Sequence, residues 1–461
     1  MCSSVAGSGK VEMSSEVVAP EGFGPAKALT DATKPNKLRI LSWAMWDWGT
    51  QPFNTVITTF VFAVYITGTT FGPTNQTSTA LSISTAVSGL LIAALAPVLG
   101  QNADRSGHTV RNLRVLTWTV ALISASLFFV KPHPEYLWLG LGLLGVGSIV
   151  SEIAGVNYNA TIDQVASPRN VGKVSGFGWG MGYLGGILVL LVLYFGLIQP
   201  QVGLFGVTND EAMDIRVSMI ICGVWTLLFT IPTFLMLREK APSGARVSHG
   251  LAGSYRELWR TVKALWHTDR TTVYFLMASA LFRDGLAGVF AFGAVIAAGT
   301  FGFSAGDVVV FGAVANIVAG LATMLFGLLD DKIGPRAVIL TSLASLTVLG
   351  IAIFVFHAGG SAVFWALGLA MTVFVGPAQS ASRTFLARLI PEGRSGEVFG
   401  LYATTGRVVS FLSPAAFGLM IWVGAMVTGA ENTQYWGILG IVAVIAAGLV
   451  LMLRVRPPAR T

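Results

Sequence analysis

The chain has 461 residues, of which 54% are hydrophobic and only 11% charged, whereas a soluble domain carries about 25% charged residues. Its mean hydropathy of +0.71 excludes a soluble globular fold. The formal charge of +7 follows from where the basic residues lie and implies no nucleic-acid surface, and the two cysteines, Cys2 in a polar tail and Cys222 in an apolar run, imply no disulfide framework.

Residues 1–37 are rich in Ser, Gly, Pro, Lys and Glu and hold no apolar run, which reads as a disordered cytoplasmic tail. They lack the apolar core and cleavage site of a signal peptide. Twelve stretches then reach the roughly 20 apolar residues that a crossing helix needs. Six, at 39–67, 78–100, 111–130, 136–160, 172–198 and 214–237, form an N-terminal bundle over 38–237. Six more, at 271–299, 304–329, 336–357, 361–386, 397–424 and 434–454, form a C-terminal bundle over 271–455. A short tail, 456–461, follows. The expected fold is an all-α integral membrane protein of twelve transmembrane helices in two pseudo-symmetric six-helix bundles.

Of the 29 lysines and arginines, only Lys131 and Arg216 fall on one side of these spans. Arg283, Arg383 and Arg407 fall inside them, and the rest lie on the other side. The positive-inside rule puts both termini and the 238–270 connection in the cytoplasm. Short loops and the absence of a large soluble domain point to a multi-pass protein of the cell (inner) membrane. Within 238–270, Tyr255, Leu258, Trp259, Val262, Leu265 and Trp266 recur at helical spacing opposite Arg256, Glu257, Arg260 and Lys263. This predicts an amphipathic linker helix, lying on the inner leaflet or packed on the bundle.

Gly100-x-x-x-Asp104-Arg105-x-Gly107 follows span 2, and Gly327-x-x-x-Asp331-Lys332-x-Gly334 follows span 8. A signal repeated at matching places in two hydrophobic halves marks a doubled bundle, the plan of many secondary transporters. The repeat resembles the signature loop of the major facilitator superfamily, and the likeness covers residues 38 to about 455. Ser42-Trp43-Ala44-Met45-Trp46-Asp47-Trp48, Phe282-Arg283-Asp284-Gly285, Gln379-Ser380-Ala381-Ser382-Arg383, Leu389-Ile390-Pro391 and Phe399-Gly400-Leu401-Tyr402 narrow it to the vacuole-effluxer-like branch, whose fungal member exports amino acids from the vacuole. Span 4 carries Glu152 where drug antiporters resemble one another in an Arg-centred motif. Span 5 has a glycine ladder but no Gly-Pro pair. Both departures speak against a multidrug exporter.

Ionisable groups within the bilayer cost about 2.5–3.5 kcal/mol on insertion scales and persist where they face a cavity or a partner. The resemblance implies that spans 1 and 7 line a central cavity. Asp47 and Asp284 occupy comparable places on those spans, and Trp43, Asp47 and Asn54 fall near one face. The two acids are expected to meet a cationic group of the substrate, to take up a proton, or to make a structural bond to a neighbouring helix. Arg283 offers a planar guanidinium to a substrate carboxylate, or else a standing salt bridge to Asp47, Glu152 or Asp284. Glu152 lies deep enough to accept a proton. Arg407 lies about 15 Å into span 11, at 1.5 Å per residue. Gln379 is placed along the cavity, and Arg383 is expected nearer the inner surface, where it snorkels. Pro52, Pro377 and Pro414 free backbone groups that mark bends.

The resemblance implies that Asp104 and Asp331 latch the cytoplasmic side by meeting the N-terminus of a facing helix, where anions are favoured by about 0.3–1 kcal/mol. Arg105 and Lys332 supply balancing charge. Asp163 is a gate contact that pairs with Arg105 or Arg111. Gly100, Gly107, Gly327 and Gly334 permit close approach and turns.

The function expected is secondary active transport of a small polar solute by alternating access, with amino-acid efflux and proton coupling as the finer reading. A facilitative uniporter, or an exporter of another small organic solute, is the alternative. No phosphate-binding loop is present. The five histidines are scattered without metal spacing, so no catalytic residue, metal or cofactor is expected, and a channel or membrane-embedded enzyme fits less well. The partners are a small-molecule substrate, a proton and the lipid bilayer, with no nucleic acid, for a monomer.

Overall fold

A computed structural model describes residues 37–167, 169–239, 251–268, 270–303, 305–390, 395–430 and 433–456. Every regular element among the described residues is a helix, apart from one isolated bridge between Val202 and Thr208. The helices are α1 Lys37–Pro52, α2 Phe62–Ile66, α3 Thr74–Ser106, α4 Thr109–Ser126, α5 Leu137–Ala160, α6 Val171–Leu193, α7 Met213–Met236, α8 Leu251–Thr268, α9 Arg270–Phe301, α10 Ala305–Ile333, α11 Pro335–Val355, α12 Gly360–Leu389, α13 Ser395–Val408, α14 Leu412–Thr428 and α15 Gly437–Arg454. Eleven helical stretches among the described residues are long and apolar enough to cross a membrane. The twelfth span, the first in the chain, is interrupted: α1 gives way to a π-helix over Phe53–Phe60 and then to α2. The tail before residue 37 and residues 240–250 lie outside the described residues.

The interruption has a local cause. Pro52 has no N–H, so the carbonyl of Trp48 loses its helical partner. The indole N–H of Trp225 on α7 donates to that carbonyl at 3.3 Å, and the chain continues with widened turns. Span 11 breaks for a similar reason. Pro414 cannot donate to Ser410, and α13 ends at Val408 before α14 begins at Leu412. At Pro377, by contrast, α12 runs through unbroken.

Glycines on α6 hold the two lobes together. Gly172, Gly176 and Gly180 lie one turn apart and meet α10. A Cβ on Gly176 would stand 2.6 Å from the Thr323 carbonyl oxygen and 2.8 Å from the Gly327 Cα. Another face of α6, at Gly178, Gly182 and Gly185, packs on Trp43, Gln51 and Trp48 of α1. Small residues let backbones approach where no hydrophobic drive separates helix from lipid. In the pseudo-symmetric position α3 packs along α13, with Gly100 against the Gly396 carbonyl.

The signature segments are not loops. Gly100, Asp104 and Arg105 lie on α3, and Gly327, Asp331 and Lys332 on α10. Only Gly107 (φ 69°) and Gly334 (φ 91°) turn the chain, both with the positive φ that glycine tolerates. The turns lie at the end where α7 leads to α8, the linker end. There Glu239 caps α4, accepting from the backbone N–H groups of Val110 (3.1 Å) and Arg111 (2.6 Å). Helix α8 buries Leu265, and Tyr255 donates to the Ala94 carbonyl, while Trp259 and Trp266 stay exposed. Beyond the break in span 11, α14 packs on α9 and α15 of its own lobe, whereas α13 packs on α3 and α5 of the other. The lobes are thus closed at the linker end.

Candidate functional site

Three groups of charged residues sit within the bundle. The first joins the lobes. Arg383 on α12 is only 3% exposed, not snorkelling as expected from its depth along span 10. Its Nη1 lies 3.6 Å from Asp47 Oδ2 on α1. Nε donates to the Ser175 hydroxyl (2.9 Å), Nη2 to the Ser175 carbonyl (2.6 Å) and Nη1 to Asn159 Oδ1 (3.3 Å). The guanidinium is packed among the rings of Trp43, Tyr158 and Trp179, 5.0–5.9 Å from their centroids, a favourable arrangement for a desolvated cation. Tyr158 is sandwiched between Trp43 and Trp46 at 4.4 and 4.1 Å, and its hydroxyl donates to Asp47 at 2.8 Å. A charge this deep is tolerated because nearly every donor has an acceptor.

The second group also bridges the lobes. Arg407, on the last turn of α13 before the break, donates to Glu152 on α5 at 2.6 Å. Their side chains are 37% and 26% exposed, so the pair is less enclosed than the first. Arg283 on α9 lies close by. It stacks on Tyr402 with 3.8 Å to the ring centroid and donates to the Tyr402 carbonyl at 2.9 Å. Among the described residues it makes no ion pair, so the standing bridge to Asp47, Glu152 or Asp284 is not formed: those acids are taken by Arg383, Arg407 and a backbone amide.

Asp284 stays within its own lobe. It is 6% exposed, and its Oδ2 accepts the backbone N–H of Ser413 at 2.6 Å. That amide belongs to the first turn of α14, where a helix presents unsatisfied donors and a partial positive charge. Asp47 and Asp284 are therefore comparable in sequence and different in task, because only span 11 is cut beside Asp284. Asn54 is exposed on the π-helix, whose widened turns break the 3.6-residue spacing that placed it with Trp43 and Asp47. Gln379 is half-buried on α12.

The third group lies at the linker end. Asp331 accepts the N–H groups of Gly172 and Lys173, both at 2.8 Å, at the start of α6. Arg388 on α12 approaches it at 3.4 Å. Lys332 is exposed. The side chains of Asp104 and Arg105, and with them the expected pairing of Arg105 to Asp163, lie outside the described residues; Asp163 sits in a short turn after α5. Sequence reasoning missed Tyr158, Ser175, Trp179, Tyr402 and Arg388. The signal for the first four was aromatic and small polar residues inside apolar spans; Arg388 was one basic residue among others at the end of a span.

A family described as vacuole effluxer, Atg22 like, matches residues 63–457. An uncharacterized MFS-type transporter of Bacillus subtilis, YxiO, is 24% identical over 420 residues, 89% of this chain and 93% of that one. Autophagy-related protein 22-1 of Neosartorya fischeri is 26% identical over 271 residues, and the match spans 54% of this chain but 43% of that longer relative. Among solved structures, the major facilitator superfamily transporter FucP in its outward conformation superposes with a TM-score of 0.66 at 13% identity, covering 91% of this chain and 98% of that one. That likeness concerns the fold alone.

Proposed function

The chain belongs to the Atg22-like vacuole effluxer family of the major facilitator superfamily, and from that membership and its charge pairs we propose that it moves amino acids out of the cell with participation of a proton. It is a multi-pass membrane protein for secondary transport and not an enzyme. The Glu152–Arg407 bridge supports the substrate reading. A zwitterion brings one carboxylate and one ammonium. Arg407 and the nearby Arg283 suit the carboxylate, and Glu152 suits the ammonium. The bridge is partly exposed and spans both lobes, so a solute that replaces it binds between the halves that rock.

The proton reading rests on the sealed pair. Opening the linker end must part Arg383 from Asp47 and leave Asp47 among aromatic rings. A lone buried carboxylate is costly, and a proton on Asp47 removes the cost. Arg383 keeps the Ser175 and Asn159 acceptors only while the lobes are closed. Asp331 of α10, seated against the start of α6, makes the latch with Gly100, Gly107, Gly327, Gly334, Asp104, Arg105, Lys332 and Asp163. The positive-inside distribution assigns the linker end to the cytoplasm, so the lobes as described face outward, in a cell-membrane monomer with both termini inside.

Purified chain in proteoliposomes, loaded with a panel of amino acids and other small solutes and assayed with and without a pH gradient, tests this. Saturable counterflow of amino acids that responds to the gradient is expected. Counterflow confined to other solutes overturns the substrate reading, and gradient-independent flux overturns the proton reading.

A further inference from the structure

The two signature segments align residue for residue: Gly100 with Gly327, Asp104 with Asp331 and Gly107 with Gly334. The same alignment sets Ala103 against Asp330. Both are buried, at 0% and 1% exposure. One lobe has a methyl group at this place and the other a carboxyl group.

Asp330 is covered closely by the start of α6. A Cβ on Gly172, in the first turn of α6, would lie 2.6 Å from its Cγ and 2.7 Å from its Cβ. The one hydroxyl beside its carboxyl group, that of Thr384 on α12, donates to the Ser380 carbonyl at 3.2 Å, and no backbone N–H reaches either carboxyl oxygen. One guanidinium serves both acids: Arg388 Nη2 is 3.8 Å from Asp330 and 3.4 Å from Asp331. Asp331 also takes two backbone N–H groups, which fixes it as the anion. The other charges nearby do not reach inward. Lys173 of α6, Lys332 of α10 and Arg270 of α9 are exposed, and Arg336 of α11 donates to the carbonyls of Leu453 and Val455 at the end of α15. Two adjacent carboxyl groups out of water with one cation between them are not both ionised.

We infer that Asp330 is a proton-binding site inside the linker-end gate, occupied while α6 lies across α10 and emptied when α6 lifts away and water enters. The inference rests on the alternating-access reading but not on the identity of the solute. At Asp330 the closed state then holds one proton more than the open state, opposite in sense to the proton that Asp47 takes up on opening, so the effect is read with Asp47 replaced. Acidification favours the closed gate by up to about tenfold per pH unit, the limit for a single proton.

The test uses the full chain with Cys2→Ser and Cys222→Ser, and with nitroxides at Arg169→Cys and Arg454→Cys, two exposed positions on opposite lobes. In lipid nanodiscs, the closed fraction is read from the inter-label distance across about pH 5–9. Controls carrying Asp47→Asn and Glu152→Gln hold the other acids constant. With Asp47→Asn and Glu152→Gln in place, the chain is expected to close as pH falls, and the Asp330 variants are made in that background. Asp330→Asn, an isostere of the protonated acid, is expected to stay closed with no pH slope. Asp330→Ala, which places alanine where the other lobe has it, is expected to be flat as well. No slope in the Asp47→Asn, Glu152→Gln background, or a full slope surviving there when Asp330→Asn is added, overturns the inference. So does a fall in the closed fraction of Asp330→Asn at every pH, which would make Asp330 an ionised partner of Arg388. Because the readout needs no substrate, a failure of amino-acid transport leaves it intact.

Discussion

The Arg383 guanidinium and the Asp47 carboxylate meet at 3.6 Å across the interface between the lobes, with side chains only 4% and 13% exposed. Removing one partner of such a pair strands the other, at a cost of about 3–5 kcal/mol. Arg383→Met is expected to lower the thermal midpoint of the purified protein markedly. Asp47→Asn is expected to do less, because an amide still accepts from Tyr158. The double variant should lose less than the sum of the two, and a double-mutant cycle on thermal midpoints checks that coupling.

The Glu152–Arg407 bridge is shorter, at 2.6 Å, and less enclosed. A pair with this much access is expected to contribute less than the sealed one, so Glu152→Gln and Arg407→Gln are expected to lower the midpoint less than Arg383→Met does. Both should raise the concentration for half-maximal transport by tenfold or more, since each removes a charge offered to the solute. Unchanged transport in both variants would disqualify the pair as the binding site.

Asp284 is expected to behave as a helix cap. Its loss costs about 0.5–2 kcal/mol through the first turn of α14. Asp284→Asn should be mild and Asp284→Ala larger in thermal midpoint. Neither should alter substrate affinity or the pH dependence of flux. A changed pH profile in Asp284→Asn would return the residue to the transport chemistry.

Asp331→Asn is expected to loosen the latch. The charge at the start of α6 is worth about 0.3–2 kcal/mol, which shifts the gate roughly two- to thirtyfold toward opening at the linker end. Ser380, buried against Ser175 at 3.1 Å, reports the opening. The rate at which a water-soluble maleimide modifies Ser380→Cys, in a chain without Cys2 and Cys222, should rise by that factor.

The residues that were legible in advance share a property: their meaning is carried along one helix. Apolar length, basic residues in loops, the doubled Gly-x-x-x-Asp segment and the prolines at 52 and 414 can be read locally. Asn54 was misplaced because a proline-induced π-helix altered the turn count that a regular helix assumes. Arg383 was misplaced because depth along a span says nothing of which acid or aromatic ring stands opposite.

The linear chain determined the all-helical, twice-six-span plan, because a bilayer forces each crossing segment to satisfy its own backbone and to be apolar for about 20 residues. Only the packed lobes decided that Asp47 would face Arg383, that Glu152 would face Arg407 and that Asp284 would cap a broken helix. Charge pairing out of water depends on separations of a few ångströms between distant segments, and those are set by how helices pack against one another and by where glycines let them approach.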